Sequence, residues 1–206
     1  MSKIITIGRQ YGSGGRALGK MIAEKLNIPL YDKELVELAA KKSNVSLEAV
    51  KEIDERASSS LLYSIVTGGW GAKGLNVPLF YEMPLNDKLF IAQAKVIKEL
   101  AAKESFVIAG RCADFVLKDN PNVIRVFVHA PLEHCIDVVA PMKNMSRKEA
   151  EKFILKKDKY RGEYYYHYTG KNWNDARNYD ICLNSSELNY DKCIEIIKNY
   201  MEVRFK

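Results

Sequence analysis

The sequence predicts an α/β protein of three layers, with helices on both faces of a parallel five-stranded sheet. Short, wholly apolar, β-branched runs recur along the chain, as strands buried on both faces require. Segments of helical periodicity separate these runs, which calls for parallel strands joined by crossovers. The first run leads through a cluster of glycines into an amphipathic helix, the opening of a right-handed βαβ unit.

In chain order, residues 4–7 (Ile-Ile-Thr-Ile) form the first strand, ending at Gly8, and a glycine-rich loop runs to Gly15. Ala17, Leu18, Met21, Ile22 and Leu26 then recur at helical spacing, Asn27 marks the stop, and residues 28–31 resume an extended stretch. Two polar-faced helices are expected between Asp32 and Arg56, and residues 58–84, rich in serine and glycine, read as a mobile functional loop. A helix over 86–103 precedes a strand over 106–109, and a strand over 123–129 closes at Ala130-Pro131. Pro141 is expected to break the helix that follows. Residues 146–166 form a basic helix opened by the capping box Ser146-x-x-Glu149. A strand over 181–183 and a helix over 190–205 complete the fold.

Composition narrows the class. With 206 residues, 47% hydrophobic and 28% charged, the chain supports one folded domain over 1–206. No run reaches the ~18 apolar residues of a membrane span, and the short apolar start reads as a strand and not a signal peptide. The expectation is a cytoplasmic protein without membrane partners. Cys112, Cys135, Cys182 and Cys193 are scattered without a CxxC pair, which reads as buried free thiols. The formal net charge is +6; between Arg147 and Lys171 eight Lys/Arg face four acids, so four of the six excess charges lie there. Such a patch attracts polyanions in general, nucleotides and nucleic acids alike.

The loop Gly8-Arg9-Gln10-Tyr11-Gly12-Ser13-Gly14-Gly15-Arg16-Ala17 carries the chemistry. Glycines allow positive φ and close approach of the backbone to an anion, and the unsatisfied N–H groups at a helix start favour phosphate. Gly12, Ser13, Gly14, Gly15, Arg16 and Ala17 are the expected phosphate-binding residues. The alternative is a structural strand–helix turn. The loop is not a standard P-loop: Gly15, Arg16 and Ala17 stand where Lys, a small residue and Thr belong. Arg16 or Arg9 is left to supply the charge, and Ser13 the hydroxyl for a magnesium ion.

On these blocks the chain resembles the cytidylate kinase-like family of the P-loop nucleoside monophosphate kinases: GRQYGSGGRALG (8–19), IPLYDKEL (28–35), LNDKLFIAQ (85–93), FVIAGRCADFVL (106–117), KDKYRGEYYYHYTGKNW (157–173) and NYDICLNSS (178–186). The resemblance implies a three-layer P-loop NTPase fold with an acceptor-binding insertion over 32–84 and a lid over 141–175. It implies ATP- and Mg2+-dependent phosphoryl transfer to a nucleoside monophosphate, CMP or dCMP by analogy. Residue by residue it places Asp32, Arg111, Asp114, Asp158 and Arg161 at the acceptor and makes Arg16, Arg111 and Arg161 the catalytic cations. Each has a plainer reading: Asp32 as an N-cap, and Asp158–Arg161 as a surface ion pair. The tyrosines of 164–168 read mainly as packing. Cys112 replaces the aspartate that follows the family's arginine, and the helix around Pro141 lacks the family's arginines, for which Lys143, Arg147, Lys156, Lys157 and Lys159 are the available substitutes. A nucleotide-binding sensor with degraded catalysis and a nucleic-acid-binding module are the competing readings; the basic segment is accounted for by phosphate binding, so no nucleic-acid partner is expected.

Overall fold

The N-terminal apolar run forms strand β1 (Ile4–Arg9), two residues longer than its hydrophobicity indicates. Gly8 and Arg9 stay in the ladder because their backbones pair with Phe127 and Val128 of a neighbouring strand. Hydrogen bonding, more than apolarity, sets where a strand ends. This computed structural model describes residues 2–32, 35 and 85–206. The helices expected before Arg56 and the stretch 58–84 lie outside the described residues, apart from Asp32 and Leu35.

Among the described residues, helix α1 (Gly15–Leu26) starts directly after Gly14, whose φ is 74°, and stops at Asn27, whose φ is 51°. Asn tolerates that left-handed conformation, which explains why it caps here. Strand β2 (Leu30–Tyr31), helix α2 (Leu85–Ala101) and strand β3 (Phe106–Ala109) follow. Next come the single turn α3 (Ala113–Val116), strand β4 (Val123–His129) and helix α4 (Leu132–Lys143). The chain ends with α5 (Arg147–Thr169), β5 (Ile181–Asn184) and α6 (Tyr190–Arg204).

Two expectations are corrected. Pro141 does not break its helix: α4 runs through it to Lys143. A proline near a helix end removes a single hydrogen bond, and the helix was to stop within two residues in any case, at Asn144 with φ 52°. Three cysteines are buried, but Cys182 is exposed. The capping box of α5 is as read: the Ser146 hydroxyl accepts from the Glu149 N–H, and Glu149 accepts from the Ser146 N–H at 2.9 Å.

All strand pairs are parallel, in the order β2-β3-β1-β4-β5. Side chains alternate across the sheet with the strand period of two. Ile5, Ile7, Val107, Val126 and Val128 meet Leu18 and Ile22 of α1 and Ile194 and Ile197 of α6 on one face. Ile4, Phe106, Ile108 and Val123 meet α2, α3 and the tyrosines of α5 on the other. Each such side chain, fully buried, contributes about 1.5–3 kcal/mol. A third cluster, Cys135, Ile136, Val139, Ala150 and Ile154, joins α4 to α5.

Helix α5 has two characters. Its first half is basic and mostly exposed, apart from Ala150 and Ile154 packed on α4. Its second half buries Tyr164, Tyr165 and Tyr168, spaced i, i+1, i+4 on one face, while Tyr166 on the opposite face is exposed. Tyr168 stacks on Phe90 with centroids 3.9 Å apart, and its hydroxyl donates to Asp87 Oδ1 at 2.9 Å. The connection after β1 leads to β2 on one side, while the chain after β3 crosses to β4 on the other. Their diverging C-terminal ends open the crevice where α/β sheets bind ligands.

Candidate active site

The glycine loop is anchored from behind by the ends of β4 and β5. Gln10 N–H donates to Val128 O at 3.0 Å, and its side-chain Oε1 accepts from Ala130 N at 3.1 Å. The Ser185 hydroxyl donates to Ser13 O at 2.7 Å. Two loop glycines have positive φ, Gly12 at 85° and Gly14 at 74°. A Cβ on Gly12 would lie 2.9 Å from Cys135 Cβ, so α4 packs directly against the loop backbone. The first N–H groups of α1, those of Gly15, Arg16 and Ala17, have no acceptor within the helix, and the positive end of the helix dipole lies there.

One cleft of about 1260 Å³ runs from this loop along α1 and β2 to α4 and α5. Its described walls carry seven cations (Arg9, Arg16, Lys20, Arg111, Lys143, Lys157 and Arg161) and two acids (Glu24 and Asp32). That excess suits a polyphosphate. Lys143 and Lys157 thus reach the cleft, whereas Arg147 is held outside it by Glu133 at 2.6 Å and by Asp137. Lys159 sits near Glu163 and lines a separate cavity.

Arg111 and Arg161 are brought together here. Arg111 is 5% exposed and sits in a run of three left-handed residues: Gly110 (φ 76°), Arg111 (φ 61°) and Cys112 (φ 51°). For the two non-glycine residues this costs on the order of 1–3 kcal/mol each, and such strain persists where the surroundings over-determine it. The turn folds the chain back at the end of β3 and seats Arg111 against the cleft.

Asp158 and Arg161 form no surface pair. Both side chains are largely buried, with Arg161 Nη1 3.2 Å from Asp158 Oδ1. Tyr11 N–H donates to the same carboxylate oxygen at 2.8 Å, and Arg161 Nη1 donates to Arg9 O at 3.1 Å. The guanidinium also lies over the Tyr11 ring, 5.3 Å from its centroid. Helix α5 is therefore bonded to the glycine loop through two residues one turn apart. Burial raises the Asp158 carboxyl above its ordinary value, opposed by the Tyr11 N–H and Arg161.

Asp32 is buried, and its Oδ2 is 2.7 Å from Arg16 Nε; Arg16 itself is 61% exposed. Asp114 lies behind Arg111, where it accepts from the Tyr165 hydroxyl at 2.6 Å and burial pushes its carboxyl up. It lines a cavity of about 30 Å³, with room for one water, shared with Arg9, Arg111 and Arg161. Sequence reasoning did not place Tyr165, Trp173 and Tyr179 around this cavity. Their only local signal is aromaticity, and their placement depends on contacts distant in the chain.

The glycine loop fits a nucleotide's phosphates: its helix start offers N–H donors with no acceptor in the helix, and cations line the cleft beside it. A magnesium ion fits less well. The Ser13 hydroxyl is turned inward against Gln10 O at 2.9 Å and Val128 O at 3.0 Å. No group of three His, Cys, Asp or Glu gathers among the described residues.

The comparisons with known proteins agree with this picture. The crystal structure of an uncharacterized protein from Eubacterium ventriosum matches with a TM-score of 0.73 and 31% identity, over 98% of this chain and 99% of that one. Shikimate kinase from Bacteroides thetaiotaomicron shares the fold at a TM-score of 0.53 and 16% identity, over 97% of this chain and 98% of that one. No curated protein sequence matches the chain. No helix among the described residues is long and apolar enough to cross a membrane. The model of the cytidylate kinase-like family matches residues 4–187, and the chain belongs to that family.

Proposed function

We propose that this protein transfers a phosphoryl group from ATP to a nucleoside monophosphate, with CMP or dCMP as the acceptor class. Family membership supports nucleotide-dependent phosphoryl transfer. The observation that carries the finer reading is the convergence of Arg111 and Arg161 with the glycine loop in one cleft. ATP supplies the phosphoryl group when bound. The loop N–H groups and the α1 terminus hold its phosphates, and Gly12 and Gly14 keep the backbone close. Arg111 and Arg161 bind the acceptor phosphate, each guanidinium offering paired donors to anionic oxygens. Asp158 positions Arg161, and Asp32 positions Arg16 at the acceptor side of the loop. Asp114 supports the wall behind Arg111. Chemistry of this kind rests on positioning and electrostatic stabilisation more than on proton transfer.

The inward-turned Ser13 hydroxyl favours a second reading, a nucleotide-binding sensor without turnover. A coupled ADP-release assay with ATP, magnesium and a panel of nucleotides and small alcohols separates the two. Turnover with CMP or dCMP, lost in Arg111→Ala, supports the kinase. No turnover, together with micromolar ATP binding by calorimetry, overturns it in favour of the sensor.

A further inference from the structure

Two arginines flank the glycine loop, and the fold treats them differently. Arg16 reaches outward to Asp32 with most of its side chain in solvent. Arg9, the last residue of β1, is built into the protein. Its stem crosses the first residue of α1: a Cβ on Gly15 would lie 2.5 Å from Arg9 Cβ and 3.1 Å from its Cγ. Its head rests on the turn after β3, where a Cβ on Gly110 would lie 2.1 Å from Arg9 Nη1 and 3.3 Å from Cζ. Glycines from two segments far apart in the chain thus leave room for one side chain. The main chain is fixed as well, since Arg9 pairs with Val128 and its carbonyl accepts from Arg161.

The position of the head matters. Arg9, Arg111 and Arg161 line both the large cleft and the small cavity behind it, and among the described residues no other side chain lines both. Three guanidiniums gathered in a partly buried place repel one another. Two acids offset part of this: Asp158 bonds to Arg161 and feels the charge of Arg9, and Asp114 lines the same small cavity. An anion of more than one charge that enters the cleft meets all three guanidiniums, since each of them lines it.

We propose that Arg9, and not Arg16, supplies the cation missing from the loop's sequence, and that it binds the phosphoryl group passing between donor and acceptor. The inference rests on the phosphoryl-transfer reading. In the transfer, an oxygen of the ionised acceptor phosphate forms a bond to the terminal phosphorus of the donor. The bond from that phosphorus to its bridging oxygen breaks, and the electron pair leaves with the donor diphosphate. Arg9 moves no proton; it hydrogen-bonds the non-bridging oxygens while Arg111 and Arg161 hold the acceptor side. A planar fork of donors does this better than an ammonium, so lysine is not an equivalent replacement.

The test uses the whole chain and two ligands, ATP and inorganic tripolyphosphate, with calorimetry for binding and ADP release for turnover. Arg9→Met is expected to weaken tripolyphosphate binding by about tenfold or more and to lower kcat by about a hundredfold or more. Arg9→Lys recovers binding more than kcat, and Arg16→Met loses less than Arg9→Met in both. In the wild-type protein, phenylglyoxal labelling read by mass spectrometry should show Arg9 protected by tripolyphosphate more strongly than Arg16; this reading stands even where Arg9→Met fails to fold. Wild-type affinity in a folded Arg9→Met, a larger loss at Arg16→Met, or protection of Arg16 without Arg9 overturns the proposal. Absence of wild-type turnover would sink the kinase reading alone, because the binding and labelling arms test Arg9 without it.

Discussion

Replacing Gly12 by alanine and replacing Gly162 by alanine are the same chemical change, and the structure assigns them opposite signs. Gly12 has φ 85°, and a Cβ there would lie 2.9 Å from Cys135 Cβ and 3.0 Å from both Cys135 O and Val139 Cγ2. The left-handed backbone costs an L-residue about 1–2 kcal/mol. Forcing a methyl against a packed helix adds about 1–3 kcal/mol, because Cys135 and Val139 are themselves buried between α4 and α5. Gly12→Ala should therefore lose about 2–5 kcal/mol of stability. Gly162 lies inside α5 with nothing within 4 Å of its Cβ position. Alanine there gains about 0.5–1 kcal/mol from helix propensity and a less flexible unfolded chain. Urea unfolding followed by circular dichroism reads both changes; with m near 2 kcal/mol/M, the Gly12→Ala midpoint falls by about 1–2.5 M while the Gly162→Ala midpoint rises slightly. Equal midpoints for Gly12→Ala and the wild type would refute the packing of the loop against α4. A destabilised Gly162→Ala would refute the open setting of that helix face.

Tyr168→Phe removes a donor from the fully buried Asp87 and should cost about 1–3 kcal/mol by the same unfolding assay; a neutral result would mean that this hydrogen bond does not stabilise the fold. Burial raises the Asp114 carboxyl, so the folded state holds its proton more tightly than the unfolded chain does. That group's contribution to stability then falls as pH rises from the unfolded pKa through the folded one. Asp114→Asn, whose amide oxygen still accepts from Tyr165, should flatten the fall of urea midpoint with pH above about pH 4, the unfolded carboxyl's range; an unchanged slope would contradict this. Ser146→Ala removes the N-cap of α5 and should lower stability by about 1 kcal/mol, seen as a melting temperature about 2–4 °C lower. Titration with a thiol reagent should find one accessible cysteine, Cys182, in the native protein and the other three only after unfolding. Burial also pushes the Cys135 thiol up to about 11, which keeps it inert.

What could be read from the sequence was local, and what could not was long-range. The glycine loop, the capping box at Ser146 and the stop at Asn27 depend on neighbours a few residues away. The five strands were legible from their apolar runs for the same reason. Arg9 was ambiguous because its meaning lies in Gly15 and Gly110, the latter about a hundred residues further on. The end of β1 was misplaced because Gly8 and Arg9 are held by Phe127 and Val128 and not by their own character. Asp158 and Arg161 were visible as an i, i+3 pair, but their bonds to Tyr11 N–H and Arg9 O were not. The turn at Gly110-Arg111-Cys112 gave no warning, since only its first residue is a glycine.

The length and anchoring of α5 have a mechanical consequence. At 23 residues the helix is a rod of about 35 Å. Near its middle it is clipped to the glycine loop by Asp158 and Arg161, and its far end is fixed in the core by three tyrosines. A rod held at two such points cannot swing as a whole without tearing aromatic surface out of the core. Bending of α5 is therefore confined to the segment before Asp158, the part that packs on α4. The clip at the loop then acts as a fulcrum, so that a ligand which strengthens or loosens it changes the stiffness of the arm beyond.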